Sequence, residues 1–351
     1  MKKQIAFSLV LVMMLGLLAG CAGTAVVYYG ECTCPTGGNT PAPTDPVNPP
    51  AEGAVKTGLS VITNVSKSAN ATCAEYDVTL VAVTVDDKGV IEQCIIDSIG
   101  TKVEFDGTGA LTKVPETIAT KNELGDSYGM VAGGGAKYEW YQQAAALADY
   151  AEGKTLAQLK SGAISESGYA AEGTDLAASA TIYLGGYVSA IEVAVNNAKH
   201  LGAVAGDELR LAAIPSAASS VGATVSKAGT AQLDVDVTAL TVKDGIITSC
   251  YIDSVQAKVT FDANGEISSD ISAPIQTKNE LGELYGMQAW GGAKYEWNVQ
   301  AANFAAYVTG KTAAEVAGIA VSEGKPSDAD LSAGVTIAIG GFQALIAKAM
   351  K

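Results

Sequence analysis

The chain has 351 residues, with 22 Lys+Arg against 37 Asp+Glu, a formal charge of −15, one His and six Cys. Hydrophobic residues make up 48% and charged residues 17%, which argues against disorder throughout and, at roughly 150 residues per domain, predicts about two domains. The acidic balance and the single arginine, Arg210, argue against a nucleic-acid partner, while one histidine and scattered cysteines exclude a haem attachment site, paired zinc-binding C-x-x-C motifs and any Ser-His-Asp triad not built on His200.

The N-terminus opens Met1-Lys2-Lys3, and residues 5–19 are apolar apart from Ser8 and Gly16, running into Gly20-Cys21. A basic start and an apolar run too short for a comfortable membrane span predict an export signal. The ending Leu18-Ala19-Gly20-Cys21 resembles a bacterial lipoprotein signal. That resemblance implies a signal peptide and lipobox over residues 1–21, a lipid on Cys21, and an extracytoplasmic protein held at the cell membrane by that lipid. Residues 22–56 predict an extended tether. Six of the ten prolines fall between Ala22 and Val55, with no Lys or Arg, so the stretch cannot repay its ordering entropy. Cys32 and Cys34 lie one residue apart, too close for a relaxed disulfide. Cys73 completes no disulfide framework, and Cys94 and Cys250, in apolar strand contexts, read as buried thiols.

The rest of the chain is one unit written twice. Thr120 to Met130 recurs as Thr277 to Met287 with nine of eleven positions identical, and Gly134 to Trp140 recurs unchanged as Gly291 to Trp297. A period of 157 residues reads as a tandem domain rather than a solenoid: repeat 1 over 57–203 and repeat 2 over 204–351, each of a size expected to fold alone. Val78–Val85 and Val90–Ile96 flank Asp86-Asp87-Lys88-Gly89, and Val235–Val242 and Ile246–Ile252 flank Lys243-Asp244-Gly245. Alternating β-branched residues about a glycine turn predict hairpins. A third strand is predicted at Lys102–Phe105 and at Lys258–Phe261. Trp140, Ala144 and Leu147, like Trp297, Ala301, Phe304 and Val308, fall at helical spacing. Gly153 and Gly310 suit the positive φ that follows a helix, and Thr155-x-x-Gln158 and Thr312-x-x-Glu315 match capping boxes. A last helix closes each copy, around Val188, Ile191 and Val195 and around Phe342, Leu345 and Ile346, and His200 reads as a partner for the first one's C-terminal dipole. The fold class is α+β, antiparallel sheets with segregated helices.

Before each last helix stands Asp175-Leu-Ala-Ala-Ser-Ala-Thr181 or Asp330-Leu-Ser-Ala-Gly-Val-Thr336. This layout resembles the acceptor motif of FMN-binding domains, such as the flavin-carrying subunits of sodium-pumping NADH:quinone reductases and Rnf complexes. The family pattern runs Asp-x-x-Ser/Thr-Gly-Ala-Thr/Ser. Hairpin, middle segment and acceptor follow in family order in both copies, so the resemblance spans nearly all of 57–351. It implies that a flavin transferase joins FMN through its phosphate to the hydroxyl of Thr181 or Thr336, with Asp175 or Asp330 orienting the loop or being read by the transferase. Copy one departs from the pattern at Ala178 and Ser179, and copy two at Ala333 and Val335. Gly334 keeps the family's glycine, which makes Thr336 the favoured acceptor. In the repeated motifs, Tyr128 and Tyr285 with Trp140 and Trp297 are candidate flavin stackers, Met130 and Met287 candidate edge contacts, and Lys137 and Lys294 candidate phosphate ligands. The same aromatics at helical spacing also read as core anchors.

The implied function is a surface lipoprotein carrying FMN for extracytoplasmic electron transfer, needing no acid–base triad; its redox partners are not named by the sequence. A non-redox lipoprotein binding a small ligand or the cell wall is the alternative. A third reading, an enzyme pairing Glu139 or Glu296 with Asp175 or Asp330, rests on the tandem motif alone.

Overall fold

The computed structural model describes residues 52–351; the signal segment, Cys21, Cys32, Cys34 and most of the tether lie outside the described residues. The first half begins with β1 (Lys56–Asn64), β2 (Cys73–Val85), β3 (Ile91–Phe105) and β4 (Leu111–Lys113), an antiparallel sheet in that order. Short helices α1 (Lys121–Leu124) and α2 (Met130–Gly134) flank a 3₁₀ turn at Gly125–Tyr128. Then come α3 (Trp140–Ala151), α4 (Leu156–Gly162), α5 (Asp175–Ser179) and α6 (Gly185–Asn196). The second half follows the same order without counterparts of β4 and α2 and with one added two-stranded ribbon. A three-stranded antiparallel sheet of β5 (Glu208–Ser216), β6 (Gly229–Lys243) and β7 (Ile246–Phe261) leads to α7 (Lys278–Leu281), a 3₁₀ turn at Gly282–Tyr285 and α8 (Trp297–Val308). It closes with α9 (Ala313–Ala317), the two-residue strands β8 (Val321–Ser322) and β9 (Lys325–Pro326), α10 (Ala329–Gly334) and α11 (Gly340–Ala349).

The fold is mixed α+β, as expected, and the predicted hairpins are β2–β3 and β6–β7. Two details differ. Lys102–Phe105 and Lys258–Phe261 are not separate strands but the far ends of β3 and β7. The polar stretch Asp97–Thr101 does not break the ladder, because Tyr76–Leu80 of β2 pairs with it residue by residue. The edge strands β1 and β5 were not foreseen, although Lys56–Asn64 carries a β-branched run. Gly153 (φ 74°) and Gly310 (φ 83°) follow α3 and α8, and the capping boxes at Thr155 and Thr312 are formed. The placing of His200 at a helix end is corrected: α6 stops at Asn196, and His200 Nε2 meets Asp87 Oδ1 at 3.0 Å beyond it. Cys94 and Cys250 are buried free thiols, and burial pushes the Cys250 thiol up to about 12.

Side-chain alternation gives each sheet two buried faces. Val81, Val83 and Val85 of β2 point under α3 and α6, in a core with Trp140, Leu147 and Ile191. Leu240, Val242 and Ile252 do the same beneath α8 and α11, with Trp297, Phe304 and Leu345. The opposite faces pack on each other: Tyr76, Val78, Leu80 and Val103 of the first sheet share one core with Leu233, Val235, Val237 and Val259 of the second. At the end of this core where β3 and β7 finish, the rings of Phe105 and Phe261 stack at 4.0 Å and 2°. Backbone bonds also cross between halves, Ala71 N–H donating to Gly265 O at 2.8 Å and Ala223 N–H to Gly109 O at 2.7 Å. The layers therefore run helices, sheet, sheet, helices, and residues 52–351 lie in one compact unit. Neither half has a separate core on its inner face, a fact that bears directly on whether each folds alone.

Candidate functional site

The repeated Thr-Lys-Asn-Glu-Leu-Gly segment fixes one lysine in each half. Thr120 caps α1 and forms a reciprocal box with Glu123. Asn122 ties α1 to β3, its backbone N–H donating to Asp97 Oδ1 at 3.1 Å and its Nδ2 to Ile96 O at 3.0 Å. Lys121 is thereby held with its ammonium 4.9 Å from the Trp140 ring and 5.0 Å from that of Tyr128, a double cation–π contact. The second half matches: Asn279 bonds Asp253 and Ile252 O, and Lys278 lies 4.9 Å from Trp297 and 5.3 Å from Tyr285. Burial pushes the Asp97 carboxyl up and that of Asp253 to about 6, against the backbone N–H bonds that favour its charge.

The repeated Glu-Trp pair builds the next layer. Both carboxylate oxygens of Glu139 accept backbone N–H groups, from Met130 at 2.8 Å and Val131 at 2.9 Å; Glu296 does the same for Met287 and Gln288. Each glutamate is buried and fastens a loop, so neither has a free oxygen for acid–base work with the exposed Asp175 or Asp330. Trp140 and Trp297 are 3% and 6% exposed. They anchor the two outer cores, and Trp140 Nε1–H donates to the Tyr187 hydroxyl at 3.0 Å.

The threonines end up in matched settings. Gln143, fully buried on α3, accepts from Thr181 N–H at 2.8 Å and from its hydroxyl at 3.2 Å, while its own Nε2 donates to Tyr138 O. Gln300 holds Thr336 with the same two distances. Lys137 Nζ donates to Ala178 O at 3.4 Å and Lys294 Nζ to Ala333 O at 3.1 Å, which sets both ammoniums against the segment leading to each threonine. Asp175 is the first residue of α5, capped by Thr174; Asp330 sits in the first turn of α10, capped by Asp328. Gly334 has a packing cause: a Cβ there would come within 2.8 Å of Asn303 Nδ2, which donates to Gly334 O. Ala146 stands where Asn303 does in the other half, so Ser179 has no such amide to clear.

In the first half a cavity of about 440 Å³ is lined by Thr79, Lys121, Tyr128, Met130, Trp140, Ile182, Tyr183, Gly186 and Tyr187, and not by Thr181, Asp175, Lys137 or Gln143. Its size suits a small organic ligand. Three of these residues were nominated from the sequence, and Ile182 and Tyr183 directly follow Thr181. Lys121, Tyr183, Tyr187 and Gln143 were missed. Lys121 was visible as a repeated position, but its contact with two rings distant in sequence was not. Another cavity, of about 460 Å³, lies between α8, α9 and α10. No nominated residue lines it, and its acids Glu315 and Asp328 already cap α9 and α10.

Among the described residues no group of three His, Cys, Asp or Glu side chains is placed to hold a metal ion, and no helix is long and apolar enough to cross a membrane. Comparison of the chain with protein-family models, with curated proteins and with solved structures finds no match.

Proposed function

We propose that this chain is an extracytoplasmic, lipid-anchored carrier of FMN, built as two tandem domains of common origin, that passes electrons between partners at the cell surface. The supporting observation is the first-half cavity: Tyr128, Met130 and Trp140, nominated as flavin contacts, line one space that borders the residues directly after Thr181. The residues fit the group. Aromatic walls suit a flat ring system, Lys121 supplies a fixed positive charge, and the exposed Thr181 is within a transferase's reach. Bound flavin would supply the redox chemistry. The chain's own residues position it: Gln143 orients the Thr181 hydroxyl, Glu139 fixes the Met130 loop, and Lys137 lies beside the acceptor segment. Thr Oγ1 would attack the FMN-side phosphorus of a flavin dinucleotide held by the transferase; the pyrophosphate P–O bond breaks, the nucleoside monophosphate leaves, the threonine proton is released with it, and the chain gains FMN less water.

The test is to produce the full chain with a flavin transferase, denature it, and look for in-gel flavin fluorescence and a peptide mass gain of FMN less water. Thr181→Val and Thr336→Val should each remove the adduct at their own position, with folding retained because valine keeps the side-chain shape. No adduct at either threonine would leave the non-redox binding lipoprotein as the better reading.

A further inference from the structure

The two halves place the same lysine, tyrosine and tryptophan together, yet their surroundings differ at four positions. Thr79 on β2, a wall of the cavity, corresponds to Asp236 on β6; each faces the equivalent serine of the next strand, Ser98 or Ser254. Gly100 corresponds to Gln256, Tyr187 to Phe342 and Tyr183 to Ala338.

These exchanges act in one direction. In the first half, nothing lies within 4 Å of where a Gly186 Cβ would stand, so the space between α6 and Thr79 is open. At the matching Gly341, the Asp236 carboxylate lies 3.4 Å from that point. Tyr285 is drawn down by its hydroxyl, which donates to Gln256 Oε1 at 3.1 Å, and it is half-buried; with Gly100 opposite, Tyr128 has no such tether and is 40% exposed. Tyr187 and Phe342 both lie edge-on to their tryptophans, at 5.8 and 5.9 Å, but Phe342 is buried and packs on Phe304, whereas Tyr187 is half-buried and borders the cavity.

The charges differ in the same sense. Lys278 feels Asp236, Asp234 and Asp253, which oppose the burial that pushes its pKa down; of these only Asp236 is without an acidic counterpart in the first half, Asp234 and Asp253 matching Asp77 and Asp97. Thr79 offers Lys121 no charge, and Asp77, two residues along β2, pairs with Lys67 at 2.7 Å. Among the described residues neither Lys121 nor Lys278 has a carboxylate within 4 Å, so the difference lies in the longer-range field of Asp236. A half-buried cation held between two rings beside an open, tyrosine-rimmed space calls for a flat aromatic ligand that carries or develops negative charge.

We infer that the first half alone is the ring-binding domain: its cavity takes the flavin ring, with Lys121 facing the part of the ring that gains negative charge on reduction, while Asp236 and Gln256 close the equivalent place in the second half. This rests on the flavin reading above and adds to it which half receives the ring and which residues decide that. It also moves the weight from Thr336 to Thr181, since Gly334 is accounted for by Asn303.

The experiment uses the full chain produced with a flavin transferase, and reads covalent attachment and ring docking separately. Attachment is mapped by peptide mass. Docking is read as the flavin fluorescence of the native protein relative to the same sample denatured, because a ring stacked on tyrosines is quenched. In Thr336→Val, which keeps the Thr181 adduct, native emission should be several-fold below denatured emission. In Thr181→Val, any adduct at Thr336 should be nearly as bright native as denatured. Thr79→Asp should abolish the quenching and keep the adduct. Gly186→Val, which fills the cavity from a site with no neighbour to displace, should do the same and guards against misfolding of Thr79→Asp. A Thr181 adduct that is unquenched, quenching that survives both cavity variants, equal quenching on Thr336, or an adduct on Thr336 alone would each overturn the inference while leaving the flavin reading standing. No adduct at either threonine overturns the flavin reading, and this inference with it.

Discussion

Removing one ring of the stacked pair that joins the two sheets tests whether the halves are thermodynamically separate. Phe105 is 1% exposed and Phe261 fully buried, their rings are 4.0 Å apart and parallel, and Phe261 also lies against Gly229, where a Cβ would come within 2.5 Å of it. Phe105→Ala removes a buried aromatic side chain that the rigid inner faces of two sheets cannot collapse to replace, a cost of about 3–5 kcal/mol. The lost ring pair adds about 1 kcal/mol. For a cooperative unit of this size the urea m-value is near the top of the usual range, about 3 kcal/mol/M, so the midpoint should fall by roughly 1–2 M. Each half carries its own fluorescent reporter. Trp140 is the only tryptophan of the first half, and Trp290 and Trp297 belong to the second. Urea titrations are run in a Trp140→Phe background, which reports the second half, and in a Trp290→Phe/Trp297→Phe background, which reports the first. With one shared core, Phe105→Ala shifts both midpoints together, although the substitution lies in the first half only. A shift seen by the first-half reporter alone, with the second-half transition unmoved, would refute the reasoning and restore the expectation of independent domains.

Three further outcomes are expected. Cys21→Ser, at a position outside the described residues, should move the protein from the membrane fraction to the soluble envelope or medium, checked by fractionation and mass. Glu139→Gln sets an amide donor against one of the two backbone N–H groups that the carboxylate now receives, and should cost about 1–3 kcal/mol in urea unfolding while loosening amide exchange protection at Met130 and Val131. For Asp253 the sign follows from burial. The folded carboxyl keeps its proton up to about pH 6, whereas the unfolded one loses it near about 3.9, so the folded state binds more protons in between. Stability from this group is present below about pH 4 and lost as pH rises to about 6, by roughly 2–3 kcal/mol; Asp253→Asn, which can still accept the N–H groups of Ser254 and Asn279, should flatten that part of the pH profile, and an unchanged slope would show that another group causes it.

Much of the local structure was legible in the sequence because it is written in near neighbours. The capping boxes at Thr155 and Thr312, the glycines after α3 and α8, the β2–β3 and β6–β7 turns and the amphipathic stripes through Trp140 and Trp297 each depend on residues a few positions apart, where propensity and periodicity act directly. The doubling of the chain was likewise plain, because identity at a fixed offset needs no structure to be seen. Tertiary structure decided what lies between distant segments. Alternation over Glu75–Leu80 and Gln232–Val237 marks Tyr76, Val78 and Leu80, and Leu233, Val235 and Val237, as one buried face of each strand, but alternation does not say what covers that face, and only the packing shows the two faces covering each other. The same limit held at the candidate site. The motif showed Lys121 and Lys278 as equal copies. Only packing placed Thr79 in the cavity wall beside Lys121 and the Asp236 carboxylate beside Lys278, 3.4 Å from where a Gly341 Cβ would stand.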